Sequence, residues 1–392
     1  MPWKETTAME QRFAFIIEQE AGTYTFSDLC KRFGVSRPVG YKYLNRYKEN
    51  GDEGLKELSR APHSVPNKTP KNISDALVQL RKVHPRTGAE KLIEKMKEEF
   101  DPEELPAVST GNLILKNAGL CQKRKRRRRI EPIHPVFDPQ GPNEIWSADY
   151  KGQFRMRNSV YCYPLTIADS YSRYIFAARG MYHPSYEGCK PVFEAVFREY
   201  GLPEQIHTDN GAPFGCPTSL ARLTHLSVWF MELGIRPVYS DPAHPEQNGR
   251  HERMHRELKA AATKPPGYDL RSQQRKLNRF VKEYNEWRPH KALELKTPQQ
   301  VHVRSHREYP KSIEGWDYPR SMKVKRVSRN GSIRWVRGEW VCISSALIER
   351  EIGLEEIAEG LHCIYFRNFL LGYLNEKTLL IKDGWGRVSR RR

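Results

Sequence analysis

Three acidic residues stand where a strand or helix meets a loop. They are Asp149 in Ile145-Trp-Ser-Ala-Asp-Tyr150, Asp209 in Ile206-His-Thr-Asp-Asn-Gly211, and Glu252 in Asn248-Gly-Arg-His-Glu252. Carboxylates are the natural ligands of Mg²⁺, a hard cation that prefers oxygen and keeps several waters. Acidic side chains gathered from distant stretches can hold two such ions and so orient a nucleophile and stabilise a leaving oxygen at phosphorus. Taken singly, each residue has a plainer reading. A lone Asp or Glu is a helix cap or a surface charge, and Asp209 before Asn210-Gly211 suits an Asx turn. Softer metal chemistry finds little support. The seven cysteines (Cys30, Cys121, Cys162, Cys189, Cys216, Cys342, Cys363) form no CxxC pair and no Cys/His set at zinc spacing. They are expected to be reduced core or surface residues.

Positioning three such residues requires a scaffold, and the pattern from Asn143 onward supplies one. Strands are predicted near 145–150, 160–168 and 174–179, then an amphipathic helix over 185–200 with Val192, Phe193, Val196 and Phe197 on one face. A short strand over 205–209 follows, then a helix over 219–233, a strand over 235–239, a loop from Asp241 and a long polar helix from Gly249. Three strands, helix, strand, helix, strand, helix is the order of the ribonuclease-H-like fold. It would set Asp149 and Asp209 on neighbouring strands.

The blocks WSADYKGQF, HTDNGAPF and HPEQNGRHERMHRELK, with YNEWRPHKALELKTPQQ after them, resemble the integrase core of DDE transposases. The likeness is nearest to bacterial insertion-sequence transposases, which share this core with retroviral integrases. It covers roughly residues 140–305. It implies that Asp149, Asp209 and Glu252 are the catalytic, metal-holding triad, with Asp149 bridging two Mg²⁺ ions (Mn²⁺ able to substitute) and the other two holding one each. Asp149 and Asp209 are separated by 59 residues, Asp209 and Glu252 by 42. The second gap exceeds that of the retroviral relatives, and the surplus is expected between Gly215 and Ser227. Glu246 and Glu257 are weaker alternatives for the third acid. Arg256 and Lys259 share a helix face with Glu252 and are expected to grip DNA phosphates. Gln247, Asn248 and Gly249 are expected in a DNA-touching loop, His207 beside the site, and Asp169 in a turn. Arg288, Pro289 and His290 fall in the downstream signature, where packing and DNA contact are equally open.

The remaining chain suits a nucleic-acid partner. Net charge is +19 over 392 residues, which predicts a polyanion. Residues 1–60 read as a helix-turn-helix domain: Phe13, Ile16 and Ile17 mark the first helix, Thr25 or Ser27 caps the second, Gly34-Val35-Ser36 makes the turn, and Ser36 caps the third. That third helix would offer Arg37, Tyr41, Lys42 and Arg46 to double-stranded DNA. A Pro-rich linker (61–70), a second helix-turn-helix-like domain (71–122) and a basic linker (123–138) follow. The run Lys123-Arg124-Lys125-Arg126-Arg127-Arg128-Arg129 would neutralise phosphates. After the core (139–305) and a connector (306–319), alternating segments with turns at Asn330-Gly331 and Arg337-Gly338 predict a small β-barrel (320–385), followed by a basic tail (386–392).

The expected protein is thus multidomain: all-α DNA-binding units, an α/β ribonuclease-H-like core with a mixed five-stranded sheet, and a β-barrel. The family likeness implies a transposase that binds terminal inverted repeats, cleaves 3′ ends and joins them to target DNA, as a homodimer or larger assembly. No small-molecule substrate is expected. No apolar run of membrane length is present, and a cytoplasmic, nucleoid-associated location is expected. Two rivals are a nuclease that cuts without joining and a catalytically idle regulator.

Overall fold

A computed structural model describes residues 7–58, 68–121, 138–241, 245–386 and 388–389. The chain divides into two compact units, residues 1–68 and 69–392.

The first unit holds α1 (Ala8–Glu20), α2 (Phe26–Arg32) and α3 (Arg37–Asn50). Thr7 and Glu10 close a reciprocal capping box on α1. Thr25 caps α2 through the Asp28 N–H, at 3.3 Å. Ser36 stands at the N-cap of α3 but its side chain makes no capping bond. Phe15 and Ile16 fill the core with Leu29, Cys30 and Leu55. Phe13 and Ile17, two of the residues that mark this helix in the sequence, are exposed. The ring of Phe15 instead meets Phe26 and Phe33 edge-on at 5.9 and 5.5 Å, which sets the buried face of α1. Gly40 lets α3 approach closely, since a Cβ there would lie 2.8 Å from the Cys30 sulfur.

The second unit begins with α4 (Lys71–Val83), α5 (Ala89–Met96) and α6 (Val108–Asn117) around Ile73, Leu77, Leu92 and Leu115. A mixed sheet follows: β1 (Ile145–Tyr150), β2 (Phe154–Arg155), β3 (Tyr161–Asp169), β4 (Ile175–Met181), β5 (Gln205–Thr208) and β6 (Arg236–Tyr239). Strand β3 pairs antiparallel with β1 and β4, while β1, β5 and β6 run parallel. Five strands therefore run β4-β3-β1-β5-β6, and the two-residue β2 adds to the edge of β3. Helices α7 (Tyr186–Tyr200) and α8 (His225–Glu232) cover one face through Trp146, Leu165, Phe193 and Phe230. On the other face α9 (Gly249–Ala262) and α10 (Leu270–Lys282) pack Met254, Leu258 and Leu277 against Ala168, Ile175 and Ala178.

The helix expected over 219–233 is shorter. Ala221 and Arg222 take left-handed backbone, φ 48° and 57°, so α8 begins only at His225, after the Thr224 cap.

The expected C-terminal barrel is instead an open sheet. Strands β7 (Lys323–Arg326), β10 (Glu351–Ala358), β11 (Leu361–Phe366), β12 (Phe369–Asn375), β13 (Leu380–Lys382) and β14 (Val388–Ser389) lie in the order β14-β13-β12-β11-β10-β7. A separate hairpin joins β8 (Ser332–Arg334) to β9 (Trp340–Cys342) across the Arg337-Gly338 turn. The Asn330-Gly331 turn joins no ladder, because β7 pairs with β10. Among the described residues no pairing links the two ends of the sheet.

Candidate active site

Asp149 and Asp209 are brought level by strand register. β1 and β5 pair in parallel with Ser147 opposite His207. Two residues further along each chain stand Asp149 and Asp209, near enough for the Asp209 charge to act on the Asp149 carboxyl. Side chains alternate across a strand. Trp146 and Ala148 therefore enter the core under α7 and α8, while Ser147 and Asp149 face α9.

Helix α9 presents two unlike faces. His251, Met254, His255, Leu258 and Ala262 are buried. Glu252, Arg256 and Lys259 are exposed on the adjoining face. Glu252 lies in the first turn, where the helix dipole favours negative charge.

Beneath Asp149 the sheet and helix are joined by a closed set of hydrogen bonds. Thr166, register partner of Asp149 on β3, donates to the Asp149 carbonyl at 3.0 Å. With its single proton spent there, Thr166 Oγ1 accepts from His251 Nε2 at 2.7 Å and His255 Nε2 at 2.6 Å. His251 Nδ1 then accepts from Ser147 Oγ at 2.8 Å. Burial drives both imidazoles toward the neutral form, His251 to about 3. His255 Nδ1 is left with a lone pair 3.8 Å from Asp149 Oδ2. Asp149, His251 and His255 offer ligand atoms within 4.8 Å of one another. Both His251 nitrogens are engaged by hydroxyls, so this trio works as a scaffold under the carboxylate. Sequence reasoning passed over His251 and His255. Their four-residue spacing, which puts both on one helix face next to that of Glu252, was the available signal.

The electrostatics mark Asp149 as the centre. Its side chain is 18% exposed. Burial, then the Asp209 charge and to a lesser degree Glu252, push its carboxyl up to about 7, against a pull from Lys151. Asn248 Nδ2 donates to Asp149 Oδ2 at 3.3 Å. Asp209 lies more open to solvent. The protein on its inner side still raises its pKa, and the Gly211 N–H, 3.2 Å from Oδ1, opposes that rise. That bond is the expected Asx turn, and it leaves Oδ2 free of it.

Other expected residues fall as follows. His207 is buried, held by Ser240 at 3.0 Å and depressed by burial to about 4. Asp169 accepts from Asn143 and Ser172 in a buried turn. Glu257 is taken by Arg288 at 2.8 Å, and the His290 ring packs 4.7 Å from Tyr284. Arg37, Tyr41 and Lys42 are exposed on α3, with Tyr41 stacked on Phe26 at 4.0 Å, and Arg46 is half-buried. Gln247 is buried and bonded to Asp241. Lys123 to Arg129 and the Glu246 side chain lie outside the described residues.

A mixed five-strand path flanked by helices, with acids at adjoining strand ends and on a facing helix, is the ribonuclease-H-like arrangement of an integrase core. Models of the integrase core domain match residues 139–245 and 233–298. An uncharacterised 39.2 kDa protein of insertion element IS476 from Xanthomonas euvesicatoria is 25% identical over 274 residues, 68% of this chain and 75% of that protein. The Gag-Pol polyprotein of baboon endogenous virus (strain M7) is 28% identical over 125 residues, 31% of this chain and 7% of the polyprotein. The HTLV-2 integrase catalytic core domain in complex with magnesium aligns with 42% of this chain and 100% of its own, at 18% identity and a TM-score of 0.34. The chain thus carries an integrase core domain over residues 139–298 and is similar to an insertion-element protein and to retroviral polyproteins. No helix among the described residues is long and apolar enough to cross a membrane.

Proposed function

We propose that the chain binds the terminal inverted repeats of its own mobile element, cleaves the 3′ ends and joins them to target DNA. Asp149, Asp209 and Glu252 would hold the divalent metal. The observation that carries this reading is the charge crowding at Asp149, whose carboxyl is raised by burial and by the Asp209 and Glu252 charges together. The positive charge of Lys151 does not offset this crowding, and the outward atoms are carboxylate oxygens, the donors that suit Mg²⁺ or Mn²⁺. Two such ions, when bound, would lower the pKa of the attacking water or hydroxyl and stabilise the leaving oxygen.

The chain's own groups supply the geometry. The Thr166, His251 and His255 set holds the Asp149 backbone from below. Asn248 orients Oδ2. Glu252, exposed on the first turn of α9, is free to approach from the helix side. Arg256 and Lys259 continue that face and would pair with phosphates. Arg37, Tyr41, Lys42 and Arg46 would read duplex DNA in the major groove, and residues 123–129 would add phosphate neutralisation. Joining two ends calls for a homodimer or larger assembly on DNA.

The test incubates purified protein with pre-cut element ends, a target plasmid and Mg²⁺ or Mn²⁺. Joined products that vanish in Glu252→Gln are expected. Cleavage without any joined product would assign the chain to the nucleases, and full biological function in Glu252→Gln would make it a binding regulator.

A further inference from the structure

The surplus length between Asp209 and Glu252 has a structural use. Residues 216–224 leave the catalytic sheet and dock on the C-terminal sheet. Leu220 and Leu223 enter one apolar core with Ile333, Leu347 and Ile381. Ser219 Oγ meets Ser344 Oγ at 2.9 Å, and the Ala221 N–H donates to Asp383 Oδ2 at 3.0 Å. At the turn of this excursion stands Arg222, 8% exposed. Its guanidinium carbon lies 3.6 Å from the centre of the Trp385 ring. The same group donates to Asn210 Oδ1 and, at 3.4 Å, to the Ser240 carbonyl. Asn210 Nδ2 closes the set on that carbonyl at 2.7 Å. Asn210 immediately follows Asp209.

Two neighbouring non-glycine residues in left-handed backbone, Ala221 and Arg222, persist only where the surroundings impose that conformation. A buried guanidinium is likewise retained only when its donors and ring face are matched. Both conditions are met by groups from the C-terminal sheet on one side and the Asp209 turn on the other.

We propose that Arg222 is a positioning residue for Asp209, and that the C-terminal sheet, through Trp385 and Asp383, is thereby a structural part of the catalytic site. This rests on the reading of Asp209 as a metal ligand. It assigns the open C-terminal sheet a role independent of DNA binding: it holds the Asp209 turn at the height of Asp149.

The test uses the full chain and two readouts. Trp385→Ala removes a ring that is 40% exposed, so the fold is expected to survive it. Arg222→Met removes the fork while keeping much of the stem. Amide hydrogen exchange over residues 209–215 is expected to rise about tenfold in Arg222→Met and about threefold in Trp385→Ala, with β1 and β3 unchanged. The Mg²⁺ concentration for half-maximal joining is expected to rise about tenfold in Arg222→Met, with the KM for DNA within about twofold of wild type. Unchanged exchange over 209–215 in both variants overturns the tether. Raised exchange with an unmoved Mg²⁺ midpoint overturns its role in positioning. Wild-type protein that shows no metal-dependent joining removes the proposed function, and the exchange result then still decides whether the C-terminal sheet holds the turn.

Discussion

The two faces of α9 divide the work of the site. The buried face carries His251, Met254, His255 and Leu258 into the sheet, where hydroxyls hold both His251 nitrogens and His255 Nε2 and apolar side chains meet the rest. On the exposed face, Glu252, Arg256 and Lys259 have no comparable fixing. One face determines where Asp149 and the helix axis stand. Under the proposed function, the other would meet cations and phosphates. A carboxylate that must change partners during a reaction gains from exposure, whereas one that anchors the site gains from burial in a finished hydrogen-bond set.

That contrast is sharpest for substitutions that preserve shape. Glu252→Gln should lower joining by on the order of 10³-fold or more, because it removes an electrostatic ligand needed in the transition state. Its melting temperature should stay within a degree or two of wild type, roughly the effect of a surface change. A large melting shift in Glu252→Gln would erase the distinction between the faces.

On the buried side, Leu258→Ala should cost about 3 kcal/mol in urea unfolding, from lost burial plus the cavity left behind. Activity per folded molecule should fall far less than in Glu252→Gln. The pair of variants separates stability from chemistry along one helix.

Asp149 joins the two behaviours. Its folded carboxyl is raised to about 7, burial first and the neighbouring acids second. A raised acid keeps its proton in the folded state while the unfolded chain has already lost it, so stability falls as pH climbs from about 4 to about 7 and then levels. Metal-free Asp149→Asn should therefore be more stable than wild type at pH 8, by roughly 1–3 kcal/mol, with the gap closing near pH 4. Thermal melts across that range check it. Added Mg²⁺ should stabilise wild type and leave the variant unmoved.

The smallest effects belong to the basic residues of the open face. Lys259→Ala and Arg256→Ala should each weaken DNA binding by about one phosphate contact and reduce the slope of log K against log salt by about one unit. A change in sequence preference without a change in slope would mean that these side chains read bases.

The sheet was legible because 160–168 is a short run rich in apolar and aromatic residues, and because 145–150 and 205–208 lead directly into Asp149 and the Asp209-Asn210-Gly211 turn. The nearness of Asp149 and Asp209 was legible because the strands that carry them were, and the words HTDNG and NGRHE marked the acids to look for. Three features were not. His251 and His255 read as polar residues on a polar helix, and only the sheet beneath them reveals hydroxyls waiting at Ser147 and Thr166. The helix expected from Ser219 failed at Ala221 and Arg222, whose left-handed backbone is imposed by contacts more than 100 residues away, at Ser344 and Asp383. The open C-terminal sheet was not legible because strand β10 carries Glu355 and Glu356 next to its apolar residues. Its inward residues Ile352 and Leu354 alternate with a glycine, and β7 pairs with it instead of with β8.

The central claim concerns where a divalent ion sits. Anomalous diffraction from the protein bound to an element-end duplex and Mn²⁺ addresses it directly. The account predicts two Mn²⁺ peaks about 3.5–4 Å apart, bracketed by oxygens of Asp149, Asp209 and Glu252. A single ion held by Asp149 with His251 and His255, and Glu252 turned away from it, would contradict it.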